Sequence, residues 1–207
     1  IKSVFDKVID CGLIPVATVC DQGTNNVNSV KDLLLHSNSR NKIQVMNSNI
    51  TILWRGCEIV PLFDSPHLTK GSRNNLLTKK LEYVHKPELK REFFKLFQFI
   101  HKDVSATHYA KWDDIKKAYR VDKNRMANSR VTKLTDEHIY VKKIRKMRVR
   151  PAAQVLSQTT ASLIQSVIES PDPIETTEGE VWLEEDSLFT AEILSFFNKL
   201  FDSINGS

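Results

Sequence analysis

The chain has 207 residues, 41% of them hydrophobic and 27% charged, and carries a formal net charge of +5. This composition excludes a disordered or fibrous chain and supplies apolar material for one large or two small packed domains. No apolar run approaches the ~18–20 residues of a membrane span and no basic-then-apolar leader opens the chain, so neither a membrane partner nor a secretion signal is expected.

From Ile1 to Cys11, Val4, Phe5, Val8 and Ile9 share one helical face, and Gly12 suits the residue after the helix end. Leu13–Cys20 is a continuous apolar run rich in β-branched residues, the pattern of a strand covered on both faces. The polar stretch 21–26 then leads into a helix with Val27, Val30, Leu33 and Leu34 inward. Residues 42–45, 50–54 and 58–63 read as strands, with Asn47-Ser48-Asn49 as a tight turn between the first two. Pro66 suits a first helical position, capped by Asp64 or Ser65, and opens a basic amphipathic helix over 68–81.

Further helices are predicted after Pro87 and over 112–119, and Thr135-Asp136-Glu137 opens a short one with acids in its first turn. Pro151 starts a long helix running to Ile168, and 188–204 forms the last. Between these two, residues 170–186 hold two prolines and seven acids and read as a flexible acidic insert. The front is therefore α/β and the back all-helical, with a boundary near residue 100.

Charge is unevenly placed. Residues 1–64 are neutral, 65–150 carry 23 Lys/Arg against nine Asp/Glu (+14), and 151–207 carry one Lys against ten acids (−9). A strongly basic segment suits a polyanion such as a nucleic acid or a nucleotide phosphate, unless the acidic segment neutralises it. The six glycines form neither G-x-x-x-x-G-K-[ST] nor G-x-G-x-x-G, so the common phosphate loops are absent. Cys11, Cys20 and Cys57 lack metal spacing and are expected to be buried thiols in a reducing compartment.

Asp21 and Asp64 both lie just past predicted strands. The carboxyl ends of strands in open α/β sheets are where sites form, and carboxylates there suit Mg²⁺. Both also suit plain helix caps, and His67 suits either a site or a first helical turn. Interleaved aromatics in the basic segment (Tyr109, Trp112, Tyr119, Tyr140) have helical spacing and are read as core.

Several motifs in order carry a resemblance. The stretches Gly12-Leu13, Val19-Cys20-Asp21-Gln22-Gly23-Thr24-Asn25-Asn26, Phe63-Asp64-Ser65-Pro66-His67-Leu68-Thr69-Lys70 and Arg73-Asn74 resemble the P-element family of DNA transposases, whose animal relatives carry an amino-terminal THAP zinc finger. Ser65 stands where the family has proline. Trp112-Asp113-Asp114-Ile115, Lys133-Leu134-Thr135, His138-Ile139-Tyr140, residues 146–157 and Leu200–Asn205 are similar to that family's GTP-binding insertion domain.

The resemblance implies a partial RNase H-like fold over residues 1–100 and a helical GTP-binding insertion, itself incomplete, over 101–207. Family members hold two Mg²⁺ with Asp, Asp and Glu, cut a DNA strand and join its 3′-hydroxyl to a target. Asp64 corresponds to the second aspartate, and Asp21, though part of a motif, to none of the three. The other two acids are expected before Ile1 and after Ser207. The chain is thus read as an excerpt of a longer protein, without strand-transfer activity by itself.

For GTP, the resemblance places Phe201 and Asp202 near guanine, with Asn205 on the same helix face. Lys133, Arg148, Ser157 and the backbone of Val149 are placed at ribose and phosphates; the family often has Lys at the position of Arg148. Lys70, Arg73 and the basic segment to Arg150 are expected to follow DNA phosphates. A nuclear location and a homo-oligomer of the intact protein are also implied. The alternatives are a domesticated, catalytically inactive DNA- or GTP-binding module, or a regulatory domain whose ligand is GTP.

Overall fold

The computed structural model describes residues 1–40, 51–84 and 107–205, and its chain divides after Leu68 into two compact units. The boundary expected near residue 100 lies outside the described residues. So do the strand over 42–45, the turn at 47–49 and the helix after Pro87.

In the first unit, α1 (Lys2–Asp10) stops at Gly12, whose φ of +82° suits a residue without Cβ and whose N–H donates to the Ile9 carbonyl at 2.9 Å. Strand β1 (Ala17–Cys20) leads through α2 (Thr24–Arg40) to a hairpin of β2 (Ile52–Trp54) and β3 (Cys57–Phe63). β3 is central. β1 runs parallel to it, with Ala17 opposite Val60 and Cys20 opposite Phe63, and β2 runs antiparallel. The hairpin turns on Arg55-Gly56, both at positive φ (47° and 85°), as a two-residue loop matched to strand twist requires.

The core of this unit is Phe5, Leu33, Ile52 and Ile59, with Leu34, Trp54 and Cys57 packed against it. Ser37 ties helix to sheet edge: its hydroxyl donates to the Leu33 carbonyl (2.8 Å) and accepts from the Leu53 amide (2.9 Å). The apolar run over 13–20 was expected to be covered on both faces, and this is corrected. Only four of its residues form strand, and Val19 is 64% exposed beside Leu62, at 47%, on the same face of the sheet. A long apolar run reports apolar surface, and it does not say what covers that surface.

The second unit begins within α3 (Ser65–Leu76), which ends five residues before the predicted Leu81 because the chain there turns into a strand. β4 (Leu81–Val84) pairs antiparallel with β5 (Thr107–Ala110), so the back of the chain is not all-helical as expected. Four helices follow in the described chain: α4 (Trp112–Asn124), the single turn α5 (Asp136–Ile139), α6 (Val149–Val155) and α7 (Gln158–Ile168). After the acidic stretch, α8 (Leu188–Asn205) packs along α7.

One core unites these elements. Ile115, Ala118, Tyr119, Leu134, Val155, Leu163, Ile164 and Leu194 are all buried in it. Trp112 and Tyr140 pack against it while Tyr109 is exposed, so the helical spacing of the aromatics signals core at three of four positions.

The single helix expected from Pro151 to Ile168 is two helices. Ser157 interrupts it: its hydroxyl donates to the Gln154 carbonyl (2.8 Å) and accepts from the Thr160 amide (3.2 Å), capping α7.

Residues 170–186 also differ from the expected flexible insert. Ile174 and Val181 form an antiparallel bridge, Val181 and Leu183 are buried, and Asn124 bonds the Glu175 carbonyl and the Thr177 amide. Two apolar residues suffice to anchor an acidic loop whose charges stay in water. The cysteines are free; Cys11 is exposed and Cys20 and Cys57 only half-buried, against the expectation of buried thiols. Among the described residues no helix is long and apolar enough to cross a membrane.

Candidate functional site

Two places carry the residues singled out by sequence. In the first unit, Asp21 and Asp64 follow the carboxyl ends of the neighbouring parallel strands β1 and β3, and the Asp64 amide donates to the Cys20 carbonyl at 2.8 Å. Asp21 Oδ1 accepts from the Gly23 amide and from Asn26 Nδ2, each at 2.8 Å. These bonds, the Gly23 amide foremost, hold the Asp21 carboxyl below the usual carboxylate range. A Cβ on Gly23 would stand 2.8 Å from Asp21 Oδ1, so the Asp21 carboxylate would have to shift from its present bonds. Beside it, burial pushes the Cys20 thiol up and the Asp21 charge adds to the effect.

Asp64 caps α3. Its Oδ2 accepts from the His67 amide at 3.1 Å and from His67 Nδ1 at 2.5 Å, and its side chain is 35% exposed. His67 thereby occupies both its first-turn place and the carboxylate. Among the described residues no three His, Cys, Asp or Glu side chains gather as a metal would need. With one oxygen of each aspartate already bonded to protein, this pair by itself does not fit a Mg²⁺ site.

The second place is a cleft of about 710 Å³ in the second unit, within the range of small-ligand sites. Its lining includes Lys133, Val149, Ser157, Phe201 and Asp202, five of the seven residues expected at a nucleotide, drawn from four separate stretches of chain. Arg148 immediately precedes α6 and is exposed. Asn205 ends α8, and its side chain lies outside the described residues.

One wall of the cleft is the segment 131–133, held by a residue that sequence reading passed over. Asp122, on α4 and 0% exposed, accepts from the Val131 amide (2.7 Å), the Thr132 amide (3.0 Å) and the Thr132 hydroxyl (2.6 Å). The next wall carries Gln154. Thr135 N–H donates to His138 Nδ1 (3.0 Å), which leaves His138 Nε2–H to donate to Gln154 Oε1 (2.9 Å) and aims the Gln154 amide.

Ser157 begins α7, a helix of 11 residues whose first amides favour negative charge. Asp202 on α8 brings the carboxylate, and Asn198 one turn before it donates to Asp202 Oδ2 at 2.7 Å. Apolar Val131, Ala153, Leu156 and Phe201 complete the lining beside these polar groups. Nothing in sequence marked Asp122 or Asn198, and Gln154 stood in a motif without a role assigned to it.

Of the two cations assigned to DNA, Lys70 is half-buried on α3. Arg73 is 0% exposed: its Nε donates to Asn74 Oδ1 (2.9 Å), its Nη2 to the Lys146 carbonyl (3.1 Å), and burial lowers its pKa. As placed, Arg73 has no exposed atom to offer a phosphate, which corrects the expectation that it follows DNA.

The chain is mixed α/β, with a cation-, hydroxyl- and carboxylate-lined cleft in its second unit. Residues 84–207 match the model of the TNP-like, GTP-binding insertion domain, and the chain belongs to that family, the P-element-type transposases. It is similar in fold to a chain in the Drosophila P element transposase strand transfer complex, with a TM-score of 0.64 and 21% identity over 97% of this chain. It spans 36% of that chain's length. No curated protein matches it.

Proposed function

We propose that this chain binds GTP in the cleft of its second unit, as the nucleotide-binding part of a cut-and-paste DNA transposase. The observation that carries the reading is the convergence of Lys133, Val149, Ser157, Phe201 and Asp202 on one cleft. Asp202 accepts hydrogen bonds from guanine N1–H and the N2 amine, a pair that adenine lacks, and Phe201 lies against the base. Lys133, Arg148, Ser157 and the backbone of Val149 meet ribose and phosphates. The family resemblance assigns Asn205, three residues further along α8, to the same base edge.

The test is competition binding of GTP and xanthosine triphosphate to wild type and Asp202→Asn. The variant should lose GTP and gain the xanthine nucleotide, whose C2 carbonyl needs a donor. An unchanged preference removes Asp202 from the guanine role.

The first unit is read as part of an RNase H-like domain interrupted by the helical insertion, and Asp64 as its contribution to Mg²⁺-dependent strand transfer in the nucleus. Its place at the end of a central strand supports this reading. Exposed cations between Lys70 and Arg150 would follow transposon-end or target DNA, with binding that weakens steeply with salt. The chain alone should not cut DNA bearing transposon ends in Mg²⁺, and robust cutting would refute the assignment. A non-catalytic, domesticated module is favoured by one observation: Asp64 Oδ2 is engaged as a cap to α3. Restoration of strand transfer by the intact protein, and its loss in Asp64→Asn, separates the two readings.

A further inference from the structure

An aspartate reads guanine only when both its oxygens lie in the plane of the base edge. On an open cleft wall nothing intrinsic to the side chain holds that plane, since rotation about the terminal torsion is soft. In this cleft the plane is held by a neighbour. Asn198 lies four residues before Asp202 on α8, on the same helical face, and its Nδ2 donates to Asp202 Oδ2 at 2.7 Å.

The direction of that amide is itself determined. Gln158 is the first residue of α7, and its N–H, one of the donors a helix start leaves without an internal partner, donates to Asn198 Oδ1 at 3.2 Å. An amide whose oxygen receives that bond must turn its NH₂ toward the carboxylate. Gln158 is in turn tied back to α8, because Ser195 Oγ donates to Gln158 Oε1 at 2.6 Å. The chain of bonds runs from α8 through the start of α7 and back to the carboxylate, across the two helices that border the cleft.

We propose that Asn198 is a positioning residue for base specificity, holding the Asp202 carboxylate in the plane that receives both guanine N1–H and the N2 amine. The inference rests on the GTP reading above and adds the device that makes the reading selective. Asparagine suits the position because its carbonyl oxygen accepts from the helix amide while its NH₂ donates to the carboxylate. Aspartate there would keep the first bond and set two carboxylates against each other.

The experiment compares GTP with inosine triphosphate, which lacks only the N2 amine, on the 207-residue chain and on Asn198→Asp and Asn198→Ala. One hydrogen bond to a charged acceptor makes the wild type prefer GTP by about tenfold or more. In both variants that ratio should fall to within about threefold, with inosine triphosphate binding weakened much less than GTP binding. Two variants are used so that one poorly folded protein, recognised by its melting curve, leaves the other to decide. A ratio that stays at the wild-type value, whether or not both affinities drop together, overturns the positioning role while leaving the guanine reading intact. A wild type that does not distinguish the two nucleotides fails the guanine reading itself, and the inference falls with it.

Discussion

Removing the Asp122 carboxylate should be among the most damaging single changes in the second unit. The residue is wholly buried and supplies three acceptor contacts, two to backbone amides and one to the Thr132 hydroxyl. Hydrogen bonds to a charged acceptor contribute about 1.5–3 kcal/mol each, so strict addition gives about 4.5–9 kcal/mol. That sum is an upper bound, because the amides of the segment can regain water where it reaches the surface: Val131 is 45% exposed. The Thr132 groups cannot, since that residue is buried. A loss of about 3–5 kcal/mol for Asp122→Ala is therefore expected, the range seen when a buried charged group is taken from its partners.

For a unit of this size about 3–4 °C of melting temperature accompanies each kcal/mol, so the transition should fall by roughly 9–20 °C. The assay is circular-dichroism melting at neutral pH, beside Asp113→Asn as control. Asp113 makes only an exposed pair with Lys117 at 3.6 Å, and its loss should shift the transition by about 1–2 °C at most. Because residues 131–133 line the cleft, Asp122→Ala should also weaken GTP well below the variant's melting temperature. A melt within about 2 °C of wild type, or destabilisation equal to the control's, would refute the clamp.

Asp136 offers a pH test. It accepts from Tyr119, Lys123 and Lys143 at 2.8, 3.0 and 2.7 Å, and those bonds, Lys143 first, hold its carboxyl far below the usual range. A depressed folded-state pKa gives stability that is fully present above the unfolded value of about 4 and lost as pH falls toward the folded one. The melting difference between wild type and Asp136→Asn should accordingly be widest near neutrality and shrink below about pH 4; a gap constant with pH would sink the explanation. In the first unit, Gly23→Ala should break the Asp21 turn, since its Cβ would lie 2.8 Å from Asp21 Oδ1. The expected cost is about 1–2 kcal/mol in denaturant unfolding, with Asn26→Ala giving a smaller effect and no effect in either refuting the turn's role.

Local chemistry made much of this chain legible from residue order. The end of α1 at Gly12, the start of α3 near Pro66, the start of α5 at Thr135 and the last helix all depend on neighbours within a turn, and all stand close to where the spacing puts them. The motif residues also nominated five of the side chains that line one cleft. Sequence did not reveal β4 and β5, because Leu81–Val84 and Thr107–Ala110 are strands only by virtue of each other, across a gap in sequence that no local pattern bridges. Nor did it separate α6 from α7, where a single serine hydroxyl wins the amide that a continuing helix would have used.

Which polar residues govern the cleft was decided by tertiary structure alone. Asp122 and Asn198 look in sequence like ordinary surface-compatible residues on helices, and His138 and Gln154, though in motifs, carry no sign there of what they bond. Folding brings each beside a donor or acceptor that is distant in the chain or hidden by burial, and a buried polar group must then be bonded. The residue types that suit a nucleotide are thus written along the chain, whereas their distances, orientation and partners exist only once separate helices have packed and excluded water between them.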